Sequence, residues 1–354
     1  MAQHKGHDVV VVGAGVIGLA CAWRCAQRGL TVLVVEREAD AGAGASGVAA
    51  GMLAPVTEAE FGEEPLLRLN LAGAEMWPAF AAELAERSGL DTGYRSSGAL
   101  VVAADRDDAE ELRRLHAFQQ SLGLDVRWLS GRECRRLEPR LSPRVPGGIL
   151  ADHDHQVEPR AVVRALRAAF GAAGGELRCG TLVEDLAELE ADQVVVAAGC
   201  WSGEFGLPVR PVKGQILRLR GGPLAERLVR TPRCYVVSRP DGEVVVGATV
   251  EERGFDTTVT ADGVFRLLEA AREVLPDVAE LEFAEAAARL RPGTPDNAPL
   301  IGAHEGVVWA TGHHRNGVLL APITAAAVAA MVSGEPPPQA VEPFEPGRFA
   351  RAAA

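Results

Sequence analysis

The stretch that most constrains this chain is VVVVGAGVIGLACA, residues 9–22. Gly13, Gly15 and Gly18 are spaced G-x-G-x-x-G directly after the apolar run DVVVV, residues 8–12. A run apolar on both faces suits a strand buried in a parallel sheet. The first glycine permits a tight turn, the second lets a pyrophosphate approach the backbone, and the third lets the next helix pack closely. That helix is expected over 16–28, with Gly29 stopping it. Its N-terminal N–H groups would face phosphate. TVLVVE, 31–36, reads as a second buried strand, and its Glu36 lies 18 residues after Gly18, where a carboxylate can accept from ribose hydroxyls. A carboxylate there disfavours a 2′-phosphate and leaves NAD or FAD. The bland alternative, a glycine-rich turn that binds no nucleotide, is weakened by strand, helix and carboxylate falling in register.

A chain of 354 residues exceeds one ordinary core and suits two lobes. Material of βαβ type occurs at the start, again around 151–202, and at the end, where 306–312 reads as a strand and 317–333 as a helix. Residues 158–174 form a helix with Pro159 in its first turn, and ADQVVVAAGCWS, 191–202, reads as a buried strand. Between these blocks, QILRLR, CYVVSR and EVVVGATV alternate as antiparallel strands do, with Asp241-Gly242 a hairpin turn. Helices are expected over 65–88, 106–122 and 261–274, and a strand over 98–104. The small-residue run 41–55 is read as backbone kept bare for close approach to a ligand. The fold class is therefore α/β: a Rossmann-like nucleotide-binding domain interrupted by an antiparallel-sheet substrate domain of α+β character. The boundaries are 1–75, 145–206 and 286–340 for the first, 76–144 and 207–285 for the second, and a Pro-rich tail, 341–354, along the surface.

A net charge of −12 argues against nucleic acid and acidic membranes as partners. No apolar run is long enough to span a bilayer. The N-terminal run carries spaced glycines and leads into Arg24 and Arg28, so it is not read as a targeting peptide, and a cytoplasmic protein is expected. The six cysteines form no C-x-x-C pair, which favours buried reduced thiols over disulfides and leaves no metal spacing.

The segments VVVVGAGVIG, ASGVAAGMLAP, PVKGQ, CYVVSRPDGEVVVGAT, LRPGTPDNAPLIG and GHHRNGVLLAPITA span nearly the whole chain. With them the chain resembles the D-amino-acid oxidase superfamily of flavoproteins, its glycine oxidases above all. The resemblance implies FAD as cofactor. Gly13, Ala14, Gly15, Val16, Ile17, Gly18, Glu36 and Arg37 would hold its adenosine and phosphates. Ala45, Ser46, Ala50, Gly51 and Met52 would run beside pyrophosphate and flavin, Val183 would meet the adenine through its backbone, and Ala198 and Gly199 complete the set. Gly312, His313, His314, Arg315, Asn316, Gly317, Val318 and Leu319 would close over the flavin. Related oxidases tether the flavin through a late cysteine. None follows Cys234 here, so non-covalent FAD is expected.

The resemblance also sets Arg291 against a substrate carboxylate, with Tyr235 adding a hydroxyl and Arg315 nearby. A guanidinium fork pairs with a carboxylate through two parallel bonds. Arg289 is read as a solvated strand residue, and His313 and His314 as loop-shaping rather than catalytic. The implied activity is oxidative deamination of glycine or another small amino acid or amine, with hydride leaving the α-carbon for flavin N5 and O2 becoming H2O2. A supply role in thiamine synthesis and a homo-oligomer are part of the same expectation. The alternatives are a sarcosine, D-amino-acid or imino-acid oxidase or dehydrogenase, and a flavin-binding regulatory protein without activity.

Overall fold

The computed structural model describes residues 6–349. Its first sheet has six strands in the order Leu300–His304, Val307–Thr311, Ala191–Val196, His7–Val12, Val32–Val35, Glu176–Arg178. All neighbours are parallel except the first pair. The valine runs explain this burial on both faces. Val9, Val11, Val34 and Val195 pack under the helices Val16–Gln27, Pro159–Ala172 and Ala321–Val332, while Val10, Leu33 and Val35 fill the opposite face. The first helix stops where expected, with Gly29 at φ +83°. Pro159 opens its helix, and the Glu158 carboxylate caps it by accepting from the backbone of Arg160 and Ala161.

The second sheet has eight strands, ordered Glu282–Gly293, Arg210–Arg220, Glu243–Gly247, Tyr235–Ser238, Leu228–Arg230, Ala99–Val102, Gly147–Ala151, Arg127–Ser130. Its pairings are antiparallel apart from Leu228–Arg230 with Ala99–Val102. Asp241-Gly242 makes the expected hairpin, Gly242 at φ +87°. The helix Ala261–Val274 covers one face, burying Leu267, Ala271 and Val274 against Leu217, Leu219, Val244 and Val246. The other face looks towards the first sheet.

Several details differ from the sequence reading. The strand from residue 191 ends at Val196, and Gly199–Phe205 turn as a 3-10 helix. The chain must bend there because the Ala197 carbonyl presses against Gly13, standing 2.6 Å from where a Cβ of Gly13 would be. The Pro292-Gly293 pair, by its residue types a turn signal, forms no turn. The strand runs through both, with Pro211 opposite Pro292 and Arg210 opposite Gly293. It is an edge strand, where a missing proline N–H costs no ladder bond. The last helix starts at Ala321, after a looped 313–320 segment. The tail does not lie wholly on the surface: Val341 and Phe344 are buried against Leu66, Leu69, Ile301 and Ile323. Its residues 350–354, like 1–5, lie outside the described residues. Among the described residues no helix is long and apolar enough to cross a membrane.

Candidate active site

Between the two sheets lies a cleft enclosing about 1730 Å3, part of it open to solvent. Its lining runs from the Gly13–Gly15 turn and Glu36 at one end to Tyr235 and Arg291 at the other, an extended cleft that suits a dinucleotide with room beside it.

At one end the three glycines divide by what surrounds them. Gly13 has φ +105° and its missing Cβ faces the Ala197 carbonyl, so the turn itself requires it. A Cβ on Gly18 would collide with the Gly13 carbonyl, so it serves helix–strand packing. Gly15 is different. Its backbone, φ −73° and ψ 179°, suits any residue, and a Cβ there would meet only the Ser46 hydroxyl, at 3.4 Å. Nothing in the protein fills that space, which opens into the cleft at the helix N-terminus. Such a cradle fits a pyrophosphate. The Ser46 hydroxyl accepts from the Val16 N–H at 3.0 Å and ties the small-residue segment to the helix start.

Glu36 is only 9% exposed. Its carboxylate accepts from the backbone N–H of Ala14 at 2.7 Å and of Glu38 at 2.9 Å. It therefore buttresses the glycine turn as well as lining the cleft, and each oxygen keeps a lone pair for another donor. The guanidinium of Arg37 lies over the Trp201 ring at 4.6 Å, which is in turn stacked near Phe255. Trp201, with Leu182 and Val183, forms an apolar wall of the kind a flat aromatic base needs. Trp201 and Leu182 carry no motif signal, and only the packing reveals them.

The other end of the cleft is built on the second sheet. Alternation puts Val212, Gly214, Ile216, Tyr235, Arg289 and Arg291 on one face, since Val212 pairs with Arg291, Gly214 with Arg289, and both Ile216 and Tyr235 with Gly247. The guanidinium of Arg291 lies directly over Gly214, and the Tyr235 ring over Gly247; a Cβ on either glycine would overlap them. Arg291 donates from Nη1 to the Thr249 carbonyl at 3.0 Å and, weakly, to that of Lys213 at 3.5 Å. Among the described residues no carboxylate forms an ion pair with it. Burial lowers its pKa and raises that of Tyr235, whose hydroxyl the Arg291 charge pulls back down. A buried arginine with free donors, beside a phenol, is an anion site awaiting its anion. Arg289 is exposed, as expected, with Nε donating to the Ala43 carbonyl at 2.9 Å, but it also borders the cleft.

Arg315 is not free in the same way. It is ion-paired with Glu60, and Glu58 and Glu63 act on it too. The Nε2 of His313 lies 3.0 Å from the Thr324 hydroxyl, and the N–H of His314, at φ +46°, donates to the Pro292 carbonyl. Burial pushes both histidines down to about 3. Neutral in the fold and titrating near 6.5 when unfolded, they stabilise fully above that pH and lose stability as it falls towards 3. Each costs ~1.4 kcal/mol per pH unit. Asp154, raised to about 6 by burial, works oppositely and returns a similar slope between about 6 and 3.9. The expected net is a falling urea midpoint from pH 6 to pH 5, while activity between pH 5 and 8 shows no limb from either histidine. A midpoint that rises over that interval would contradict this assignment.

Of the residues nominated from the sequence, Gly13, Gly15, Val16, Ile17, Glu36, Arg37, Ala45, Ser46, Ala50, Gly51, Met52, Val183, Ala198, Gly199, Tyr235, Arg291, His313, His314, Arg315, Gly317 and Val318 border the cleft. Five lie behind it. Ala14 serves Glu36, and Gly18 packs on Gly13. Gly312 turns at φ +72° over Thr294. The Asn316 N–H donates to His313, and the Leu319 carbonyl accepts from the Trp77 indole at 2.9 Å. Among the described residues no group of three His, Cys, Asp or Glu side chains is placed to hold a metal.

Comparison with known proteins agrees with this geometry. A family model described as "FAD dependent oxidoreductase" (DAO) matches residues 8–331. Glycine oxidase of Geobacillus kaustophilus is 35% identical, covering 92% of this chain and 93% of its own. The crystal structure of that organism's glycine oxidase superposes with a TM-score of 0.92 at 34% identity, over 98% of this chain and 99% of the other. The bifunctional protein ThiO/ThiG of Trichormus variabilis is 34% identical over 98% of this chain, which spans 56% of that longer protein. An open pyrophosphate cradle, a buttressed acidic residue and a match across nearly the full length carry one conclusion: the chain belongs to the FAD dependent oxidoreductase family, DAO.

Proposed function

We propose that the protein oxidises the α-carbon–nitrogen bond of small amino acids, glycine first, with FAD held in the cleft. The observation that carries this reading is Arg291, buried beside Tyr235 with no acidic partner. Two N–H donors in a plane match a carboxylate. Tyr235 would donate its hydroxyl to the same group, and the glycines under both side chains keep them low on the sheet so that a small substrate fits above. FAD, when bound, supplies the acceptor for the hydride and the route of electrons to O2.

The protein's own task is positioning. With the carboxylate anchored, the α-carbon is held at a fixed height over the cleft. His313 and His314, neutral through the working range, offer no cationic competitor to Arg291. With the two histidines neutral and Arg291 engaged by the carboxylate, hydride leaves from the neutral amine, and kcat/KM should rise with pH as the substrate amine deprotonates. Gly13, Gly15 and the helix start would hold the pyrophosphate, Glu36 the ribose, and Arg37 with Trp201 the adenine side. We assign the six-stranded sheet to the cofactor and the eight-stranded sheet to the substrate. The resemblance to ThiO-containing proteins supports a link to thiamine synthesis.

The test is a panel of glycine, sarcosine, D-alanine, D-proline and simple amines, scored by peroxide release. Glycine or sarcosine should lead. Flavin that bleaches with glycine yet stays reduced in air would replace the oxidase reading with a dehydrogenase, and a panel with no bleaching at all would remove it. A second expected result concerns attachment. Cys200 is the cysteine bordering the cleft, and burial pushes its thiol up to about 12. A thiol so held is a poor nucleophile. Acid precipitation should therefore leave yellow FAD in the supernatant. Colour retained in the pellet would contradict non-covalent binding.

A further inference from the structure

Glu58 borders the substrate end of the cleft, and no motif or role given above uses it. Its side chain is only 10% exposed and pairs with Arg230, Oε1 to Nη2 at 3.3 Å. Its charge acts on Tyr235, Arg291 and Arg315. A site read as waiting for a carboxylate has a carboxylate of its own in the wall.

That carboxylate is fixed in place. Arg230 also donates to the Thr57 carbonyl at 2.6 Å. Asp154, fully buried, accepts from the Thr57 hydroxyl at 2.6 Å, from the Thr57 N–H at 2.9 Å and from the Val56 N–H at 3.1 Å. The segment before Glu58 is thus tied down, and the Arg230 pair holds the carboxylate at the cleft wall. Of the Glu58–Arg230 pair only Glu58 borders the cleft, which Arg291 and Arg315 line as well.

We infer that Glu58 is a specificity-determining residue that rejects amino acids carrying a second anionic group and confines substrates to those with a neutral or cationic remainder. This rests on the amino-acid reading above. The first carboxylate of a ligand is taken by Arg291. A second one that reaches Glu58 in the same cleft faces a like charge, held there by its pairing with Arg230. Glycine, sarcosine and D-alanine present nothing to Glu58, whereas D-aspartate and iminodiacetate do.

The test compares a monocarboxylate with a dicarboxylate by binding and by turnover. Acetate and malonate are titrated into the FAD-loaded protein and followed by the flavin absorbance change, in wild type, Glu58→Asp and Glu58→Gln. Wild type should bind malonate at least about tenfold more weakly than acetate. Glu58→Gln also unmasks the Arg230 charge and should shift the malonate-to-acetate affinity ratio by about tenfold to a hundredfold, and Glu58→Asp should keep the discrimination. In turnover, the kcat/KM ratio of iminodiacetate to sarcosine should rise with Glu58→Gln by a similar factor. Retained yellow colour and an unchanged thermal midpoint in Glu58→Asp report an intact fold. An unchanged malonate-to-acetate ratio in Glu58→Gln overturns the inference, as does a wild type in which neither ligand perturbs the flavin. A wild type that discriminates as stated but oxidises no amine overturns only the amino-acid reading.

Discussion

Arg291→Lys should lower kcat/KM on glycine by about thirtyfold to a thousandfold, or ~2–4 kcal/mol of transition-state binding. The guanidinium lies flat over Gly214, with one nitrogen tied to the Thr249 carbonyl. Lysine keeps the charge but loses the fork, and its ammonium would satisfy the backbone carbonyls before any substrate. The loss should fall mainly on KM. A carboxylate-free amine provides the control: wild type should oxidise it poorly, and Arg291→Lys should lose nothing further on it. Arg289→Lys, exposed and bonded to the Ala43 carbonyl, should change little. Gly214→Ala should imitate part of the Arg291 effect with the arginine still present, because the added methyl occupies the guanidinium's place. Steady-state kinetics on the three variants decides. Wild-type kcat/KM in Arg291→Lys together with a collapse in Arg289→Lys would mean the neighbouring arginine holds the substrate.

Gly15→Val should leave a folded protein that purifies colourless, with FAD affinity reduced at least about a hundredfold, ~3 kcal/mol. Gly15 sits in extended backbone that a β-branched residue accepts, and its Cβ would touch only Ser46. The fold does not ask for glycine there, so urea stability without cofactor should stay within ~1 kcal/mol. The added side chain would instead stand where charged phosphate oxygens meet the helix N–H groups, contacts worth ~1.5–3 kcal/mol each. Gly18→Val provides the contrast. It collides with the Gly13 carbonyl, so it should lose stability and colour together. Equal FAD affinity in Gly15→Val and wild type would show that the cradle holds no pyrophosphate.

The local signals in this chain were strong wherever physics acts over a few residues. Apolar runs without alternation, such as DVVVV and TVLVV, can only be buried on both faces, and they did form the parallel sheet. Gly29, Pro159 and Asp241-Gly242 fixed helix ends and a hairpin because each restricts its own backbone. The helix expected over 261–274 formed as Ala261–Val274. The Rossmann spacing with Glu36 pointed to a dinucleotide for the same reason: its parts lie within one βαβ unit.

What needed the tertiary structure involves contacts far apart in the chain. That Pro292-Gly293 continues a strand follows from its place on a sheet edge, which no local signal carries. That Val341 and Phe344 are core depends on a groove made by residues 66–69 and 301–323. Glu36 looked like a ribose ligand alone, and only the folded turn reveals the two backbone donors it also serves. The resemblance favoured Arg291 as the carboxylate clamp, with Arg315 only nearby. The fold separated them further by pairing Arg315 with Glu60 and leaving Arg291 without an ion pair among the described residues. Trp201 and Glu58 had no pattern to announce them, since a side chain lining a cleft between two sheets is chosen by the strands that happen to face each other. Sequence thus determined the elements and the glycine turn at the cleft, while the charge balance at its other end was decided by packing alone.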